Sequence, residues 1–201
     1  MAFRSMLFVP GARPDRFDKA ATSGADAVTI DLEDAVAPHL KAEARKAALD
    51  YLSTARCGGA VGLRINVLSS LEGFRDVVAL AESAARPAYL MIPKAAGAED
   101  ARQLRAVLGE RCPPLWPLLE TPDALADLPE LARAVGETGG IMFGGADYSA
   151  TIGSDMGWDA LYAARAAIVA AAAIGGCEAM DVPYLDVKDE KGLAAETMRV
   201  K

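Results

Sequence analysis

The sequence predicts an α/β fold with a parallel sheet, of the (β/α)8 TIM-barrel type, and three observations carry that reading. Short β-branched and apolar runs alternate with longer, alanine-rich helical stretches along the whole chain. The apolar runs are nearly continuous rather than alternating, as expected of parallel strands covered on both faces. Polar residues gather where those runs end, at the strand tips that such barrels bring to one mouth.

Taken in order, Ser5–Val9 is the first predicted strand, followed by a helix over Arg13–Ser23 that Gly24 closes. Ala27–Leu32 is the second, with a helix over Leu40–Thr54, and Ala60–Ile65 the third, with a helix over Leu71–Ala84. Ala88–Ile92 is the fourth, and its helix, Ala98–Leu108, stops at Gly109. Pro114–Leu119 is the fifth; Thr121-Pro122 opens a helix over Pro122–Val135 that Gly136 ends. Gly140–Phe143 is the sixth, with a helix over Trp158–Ile174 that Asp159 begins and Gly175 follows. Glu178–Val182 is the seventh, and Lys191–Lys201 is a helical tail. A doubly wound sheet competes with the barrel, but Val9-Pro10-Gly11-Ala12-Arg13 after the first strand is neither GxGxxG nor GxxxxGK. Counting favours the barrel while leaving one strand and one helix unaccounted for. The expectation is a single barrel domain over 1–201 lacking its last strand and helix, in a C-terminally incomplete chain.

Composition narrows the function. The 201 residues carry 21 Lys+Arg against 28 Asp+Glu, a net charge of −7, with no basic block to neutralise a phosphate backbone, so a nucleic-acid partner is not expected. Cys57, Cys112 and Cys177 are odd in number and far apart, which fits neither a disulfide framework nor a thiolate metal site. The opening apolar run is too short for a signal peptide, and Ala166–Ile174 is too short for a membrane span. A reduced, cytoplasmic, non-membrane protein is expected.

The strand tips carry the chemistry. They read Asp31-Leu32-Glu33-Asp34, Arg64-Ile65-Asn66, Pro93-Lys94, Glu120-Thr121, Gly144-Gly145-Ala146-Asp147 and Asp181. Carboxylates gathered at one mouth repel unless a cation sits among them. Oxygen donors without His or Cys select a hard ion, Mg²⁺ or Mn²⁺. Glu120 and Asp147 are the metal ligands expected, because each follows a buried apolar strand and glycines clear space before Asp147. Arg64, a planar and permanently charged fork, suits a substrate carboxylate or a developing enolate. The plainer alternatives are an ion pair of Arg64 with Asp31 or Glu33, helix caps at Asp34 and Asp181, and a solvated Lys94. His39 reads as surface or cap, Trp116 and Trp158 as packing, and Met6, Met91 and Met142 as core filling.

At these residues the chain resembles the HpcH/HpaI aldolase/citrate lyase family, in its citrate lyase β-subunit-like (CitE-like) branch. The matching segments are Arg4-Ser-Met-Leu-Phe-Val-Pro-Gly11, Asp31-Leu-Glu-Asp-Ala-Val36, Lys41 with Ala44-Arg45, Arg64-Ile-Asn66, Pro93-Lys94, Leu119-Glu120-Thr121, Phe143-Gly-Gly-Ala-Asp147 and Ala179-Met-Asp181-Val-Pro183. The resemblance implies a (β/α)8 barrel with Mg²⁺ on Glu120 and Asp147, and a substrate acid group on Arg64 and near Glu120. It places Asp31, Glu33 and Lys94 in the same pocket, with Asp31 or Glu33 as base or as orienters of Arg64. It makes Arg13 and Lys19 candidates for the phosphates of coenzyme A. Pyruvate-type aldolases of the family carry a histidine where this chain has Asp34, which favours the acyl-CoA branch. The family continues beyond this end with a strand, a helix and a segment whose aspartate enters a neighbouring subunit's site, and its members associate, often as trimers. The activity implied is Mg²⁺-dependent carbon–carbon cleavage of a citryl-, malyl- or citramalyl-CoA type of ester into an acyl-CoA and a 2-oxo acid. A metal-dependent aldolase on a free hydroxy-oxo acid, and a non-catalytic subunit that binds CoA or an oxo acid, are the alternatives.

Overall fold

The computed structural model describes residues 3–54, 59–186 and 188–200. Cys57 and Lys201 lie outside the described residues. The strands are β1 (Met6–Pro10), β2 (Ala27–Asp31), β3 (Ala60–Arg64), β4 (Leu90–Ile92), β5 (Leu115–Leu119), β6 (Gly140–Phe143) and β7 (Glu178–Met180). They form one curled parallel sheet in the order β1-β2-β3-β4-β5-β6-β7. That sequential order has no point of reversal, so it is not the doubly wound alternative. Nor do the described residues form a closed eight-stranded barrel: β1 and β7 each pair with one neighbour, and the sheet is a half-barrel.

Strand parity divides the interior in two. One face packs under the helices: Val28, Ile30, Val61, Leu63, Leu90, Ile92 and Ile141 join Leu49, Leu80, Leu104, Leu131 and Leu161 in the larger core. The concave face carries Met6, Phe8, Ala27, Tyr89, Met91, Trp116, Leu118, Met142 and Met180 as a second cluster. Glycines make room for its rings. A Cβ on Gly62 would lie 2.3 Å from Tyr89, and one on Gly140 would lie 2.6 Å from Trp116. The buried Tyr89 hydroxyl is satisfied by Thr29 at 2.7 Å. With the floor filled by rings, the next concave-facing positions along β2, β3 and β5 are Asp31, Arg64 and Glu120.

The helices are α1 (Phe17–Ala21), α2 (Lys41–Leu52), α3 (Leu71–Glu82), α4 (Ala98–Leu108), α5 (Pro122–Ala126), α6 (Leu128–Val135), α7 (Gly145–Ile152), α8 (Trp158–Gly175) and α9 (Glu190–Val200). Three differ from the sequence reading. The first is a 3-10 turn over Pro14–Arg16 before a short α1. The predicted Pro122–Val135 helix breaks at Asp127, where Pro129 starts a new first turn and the Asp127 carboxylate takes the Ala98 N–H at 2.7 Å. The third, α7, went unpredicted, so Asp147 lies in a helical first turn rather than a strand-end loop. Among the described residues, α8 alone is long and apolar enough, by length and composition, to cross a membrane. It packs on α6, β6 and β7.

Candidate active site

The tips of β2 and β3 meet in register, Asp31 opposite Arg64. Arg64 Nε and Nη2 donate to the two Asp31 oxygens, each at 2.7 Å, in a bidentate pair. Its Nη1 lies 3.1 Å from Glu33 Oε2, an oxygen that accepts no well-aligned hydrogen bond. The Phe8 ring lies 5.3 Å from the guanidinium carbon. Burial opposes the charge of Arg64, but the Asp31 hydrogen bonds and the charges of Asp31, Glu33 and Asp34 outweigh it and hold the group firmly protonated. The ion pair offered as the plain alternative therefore exists. It is no bar to binding, because of a guanidinium's five N–H donors two are spent on Asp31 and one faces Glu33, which leaves two.

Lys94 is the non-glycine residue with left-handed backbone among those described, at φ +47°. That conformation costs about 1–2 kcal/mol and is held by contacts at both ends of the residue. The Lys94 N–H donates to Glu120 Oε2 at 2.5 Å, and Nζ donates to Glu33 Oε1 at 2.6 Å. Nζ also lies 3.4 Å from Asp147 and 3.6 Å from Asp34. Lys94 is thus not merely solvated. Burial lowers its pKa, but Glu33, Glu120 and Asp34 more than offset that and raise it.

Glu120 is 4% exposed. Gly144 gives it space: a Cβ there would lie 2.2 Å from Glu120 Cγ. Burial, with the nearby charges of Glu33 and Asp147 and against the pull of Lys94, pushes Glu120 from 4.5 up to about 7. Glu33 is also raised, first by burial and then by Asp34. Arg64, Glu120, Asp147, Asp31 and Asp34 line one cavity of about 500 Å³, whose other wall is apolar and includes Phe8, Leu118, Met142 and Met156.

Not every expected residue belongs here. Arg13 pairs with Asp15 at 2.7 Å on the surface, and Lys19 is exposed on α1; neither lines the cavity. Asp181 holds Arg165 at 3.0 Å instead of facing the cavity. His39 is exposed, Trp116, Met91 and Met142 are core, and Trp158 stacks with Arg165 and Arg199. The sequence reading quoted Phe8, Lys41, Arg45 and Asn66 without a role and did not name Asp76; Phe8 lies against Arg64, and the other four form polar support behind β2 and β3. Lys41 and Arg45, four apart on one helical face, carried a signal for it.

Among the described residues no three or more His, Cys, Asp or Glu groups are arranged as a metal centre. Glu120 and Asp147 offer two carboxylates beside open space. That fits Mg²⁺, which commonly takes one or two protein carboxylates and leaves positions for substrate and water.

The fold and this cavity define a half-barrel with an acidic, arginine-bearing mouth. Residues 4–201 match the family described as HpcH/HpaI aldolase/citrate lyase, and the chain belongs to that family. The L-malyl-CoA/beta-methylmalyl-CoA lyase of Cereibacter sphaeroides (strain ATCC 17025 / ATH 2.4.3) is 33% identical over 225 residues, 98% of this chain and 71% of the relative. A (3S)-malyl-CoA thioesterase of Cereibacter sphaeroides is 34% identical over 197 residues, 96% of this chain and 67% of the relative. The solved citrate lyase beta subunit of M. tuberculosis, complexed with oxaloacetate and magnesium, superposes with a TM-score of 0.81 at 32% identity, covering 97% of this chain and 85% of that one.

Proposed function

We propose that the protein is a Mg²⁺-dependent carbon–carbon lyase. It cleaves a 3-hydroxyacyl-CoA bearing a further carboxylate, of the malyl-, citramalyl- or citryl-CoA type, into an acyl-CoA and a 2-oxo acid. The observation that carries this is the meeting of Arg64, Glu120 and Asp147 around one cavity of a chain in this family. The named activity of the malyl-CoA lyase and the magnesium and oxaloacetate of the citrate lyase subunit support it.

Glu120 and Asp147 hold the ion, for which Mn²⁺ can substitute. When bound, the ion supplies Lewis-acid stabilisation of charge on the substrate's hydroxyl and carboxylate oxygens. Arg64 turns its two remaining N–H donors to the substrate's acid group. Asp31 acts as its orienter, since both carboxylate oxygens are already committed to Arg64 and to the N–H groups of Glu33 and Ala35. Glu33 flanks Arg64 and Lys94, and Lys94 balances the charge of Glu33, Asp34 and Asp147. The apolar wall keeps water from the forming enolate. Arg13 and Lys19, in the segment after β1, are the contacts assigned to the coenzyme A phosphates. The sheet belongs to a (β/α)8 barrel closed across β7 and β1, a reading that the exposed Leu7 on β1 supports. A cytoplasmic setting and self-association complete the reading.

Malyl-, citramalyl- and citryl-CoA are each incubated with the protein, with Mg²⁺ and with chelator, and the products are separated. Acyl-CoA and 2-oxo acid formed only with Mg²⁺ support the lyase. The thioesterase relative makes hydrolysis the second reading, recognised by free coenzyme A and an intact hydroxy acid. Cleavage of a free hydroxy-oxo acid without coenzyme A would point to an aldolase. Binding of oxaloacetate without turnover would point to a non-catalytic subunit.

A further inference from the structure

Behind Arg64 lies a polar cluster that the reaction above does not use. Lys41, at the start of α2, commits its three ammonium donors to the Leu32 carbonyl at 2.8 Å, the Glu33 carbonyl at 2.9 Å and Asn66 Oδ1 at 2.5 Å. None of these partners is a carboxylate. An ammonium placed for ion-pair stability would be expected to sit on one; this one is spent on two backbone carbonyls and a side-chain amide. Asn66, just past β3, donates both its N–H and Nδ2 to Asp76 Oδ2, each at 2.7 Å. Asp76, on α3 with its side chain 0% exposed, also takes Arg45 Nε at 2.6 Å. Arg45 stands one turn beyond Lys41 on α2 and pairs with Glu72 as well. Two helices thus brace one turn of backbone.

The braced turn carries Glu33. Its N–H is held by Asp31 Oδ1 at 2.8 Å, and its carbonyl accepts from Lys41 at 2.9 Å and from the Val36 N–H at 3.1 Å. With both peptide groups clamped, its buried side chain has little choice of direction: one oxygen meets Lys94 at 2.6 Å, the other faces Arg64 at 3.1 Å. Lys41 itself does not line the cavity.

We propose that Lys41 is a positioning residue acting through Glu33: it fixes the carboxylate that anchors the Lys94 ammonium and flanks the guanidinium that Asp31 aims, and so holds the two cations of the site in their working places. The proposal rests on the lyase reading and concerns how the site is held. Loss of the Lys41 ammonium leaves the Glu33 carbonyl on the Val36 N–H alone at 3.1 Å and undoes the tie to Leu32 and Asn66, so the turn loosens and the carboxylate shifts off its two partners. Misplacement of about 1 Å near a reacting group costs on the order of a hundredfold in rate. Glu120 and Asp147 are carried by other elements, so the metal ligands stay in place.

The test is a double-mutant cycle of Lys41→Met and Glu33→Gln. Turnover of malyl-CoA and Mg²⁺ affinity by calorimetry are both measured. The single variant Lys41→Met is expected to lower kcat about a hundredfold, with KM and Mg²⁺ affinity within about threefold of wild type. Added to Glu33→Gln, it is expected to cost less than about threefold more, because contacting residues that act as a unit are not additive. Additive losses, an unchanged kcat in Lys41→Met, or an equal loss of Mg²⁺ affinity would overturn the proposal. If Lys41→Met does not fold, Lys41→Gln, which keeps two N–H donors, takes its place in the cycle. If wild type cleaves no CoA ester, the lyase reading fails separately. The same cycle is then read on oxaloacetate affinity in Mg²⁺, where additive losses again overturn the coupling.

Discussion

Glu120→Gln isolates the electrostatic cost built into the mouth of the sheet. Glu120 is buried, and its pKa rises from 4.5 to about 7, first because burial disfavours its charge and then because Glu33 and Asp147 lie close, against the opposing hydrogen bond and charge of Lys94. An unfolded chain releases this proton near 4.5 and the folded one near 7, so between those values the folded state binds more protons. Stability from this residue is therefore full below 4.5 and is lost as pH rises through 7. The interval corresponds to about 3 kcal/mol. Glutamine keeps the oxygen that accepts the Lys94 N–H but cannot ionise. In chelator, urea unfolding of Glu120→Gln at pH 5 and pH 8 should lack this loss, leaving the variant about 2–3 kcal/mol more stable than wild type at pH 8. Added Mg²⁺ should restore wild type and not the variant. Equal pH slopes for the two proteins in chelator would refute the reasoning.

The other expectations are quickly stated. Arg64→Lys gives up the bidentate hold on Asp31, and kcat for CoA-ester cleavage should fall about 10²–10³-fold in steady-state assays. Gly144→Ala puts a methyl group 2.2 Å from Glu120 Cγ; calorimetry should show Mg²⁺ affinity at least about tenfold weaker while circular dichroism shows the fold retained. Asp76→Ala leaves the two Asn66 donors unpaired and Arg45 on Glu72 alone in a largely buried site, and chemical denaturation should report a loss of about 3 kcal/mol.

Strand placement was legible because parallel strands covered on both sides are apolar at nearly every position, as in Ala27–Asp31 and Leu115–Leu119. The same uniformity hides parity. Nothing in Leu118-Leu119-Glu120 says which leucine faces the cavity, and only the packing around Met142 and Trp116 decides it. The tips Arg64, Glu120 and Asp147 could be named because charge at the end of an apolar run is conspicuous. The pairing of Arg64 with Asp31 or Glu33 could be named as well, but the surroundings could not. Phe8 reads as core, and the left-handed backbone of Lys94 has no glycine to announce it. Helix α7 opens on two glycines and holds few strong helix formers, so its signal is weak until Gly145 is seen packed against Val182. The break at Asp127 had a local signal in Pro129, whereas the Asp127 carboxylate reaching Ala98 is a contact between helices that no local pattern carries.

The most direct test is a crystal structure of the protein soaked with Mg²⁺ and oxaloacetate. The account predicts the ion on Glu120 and Asp147, with an oxaloacetate carboxylate on the two spare N–H groups of Arg64. An ion bound away from either carboxylate, or an oxo acid that leaves Arg64 untouched, would contradict it.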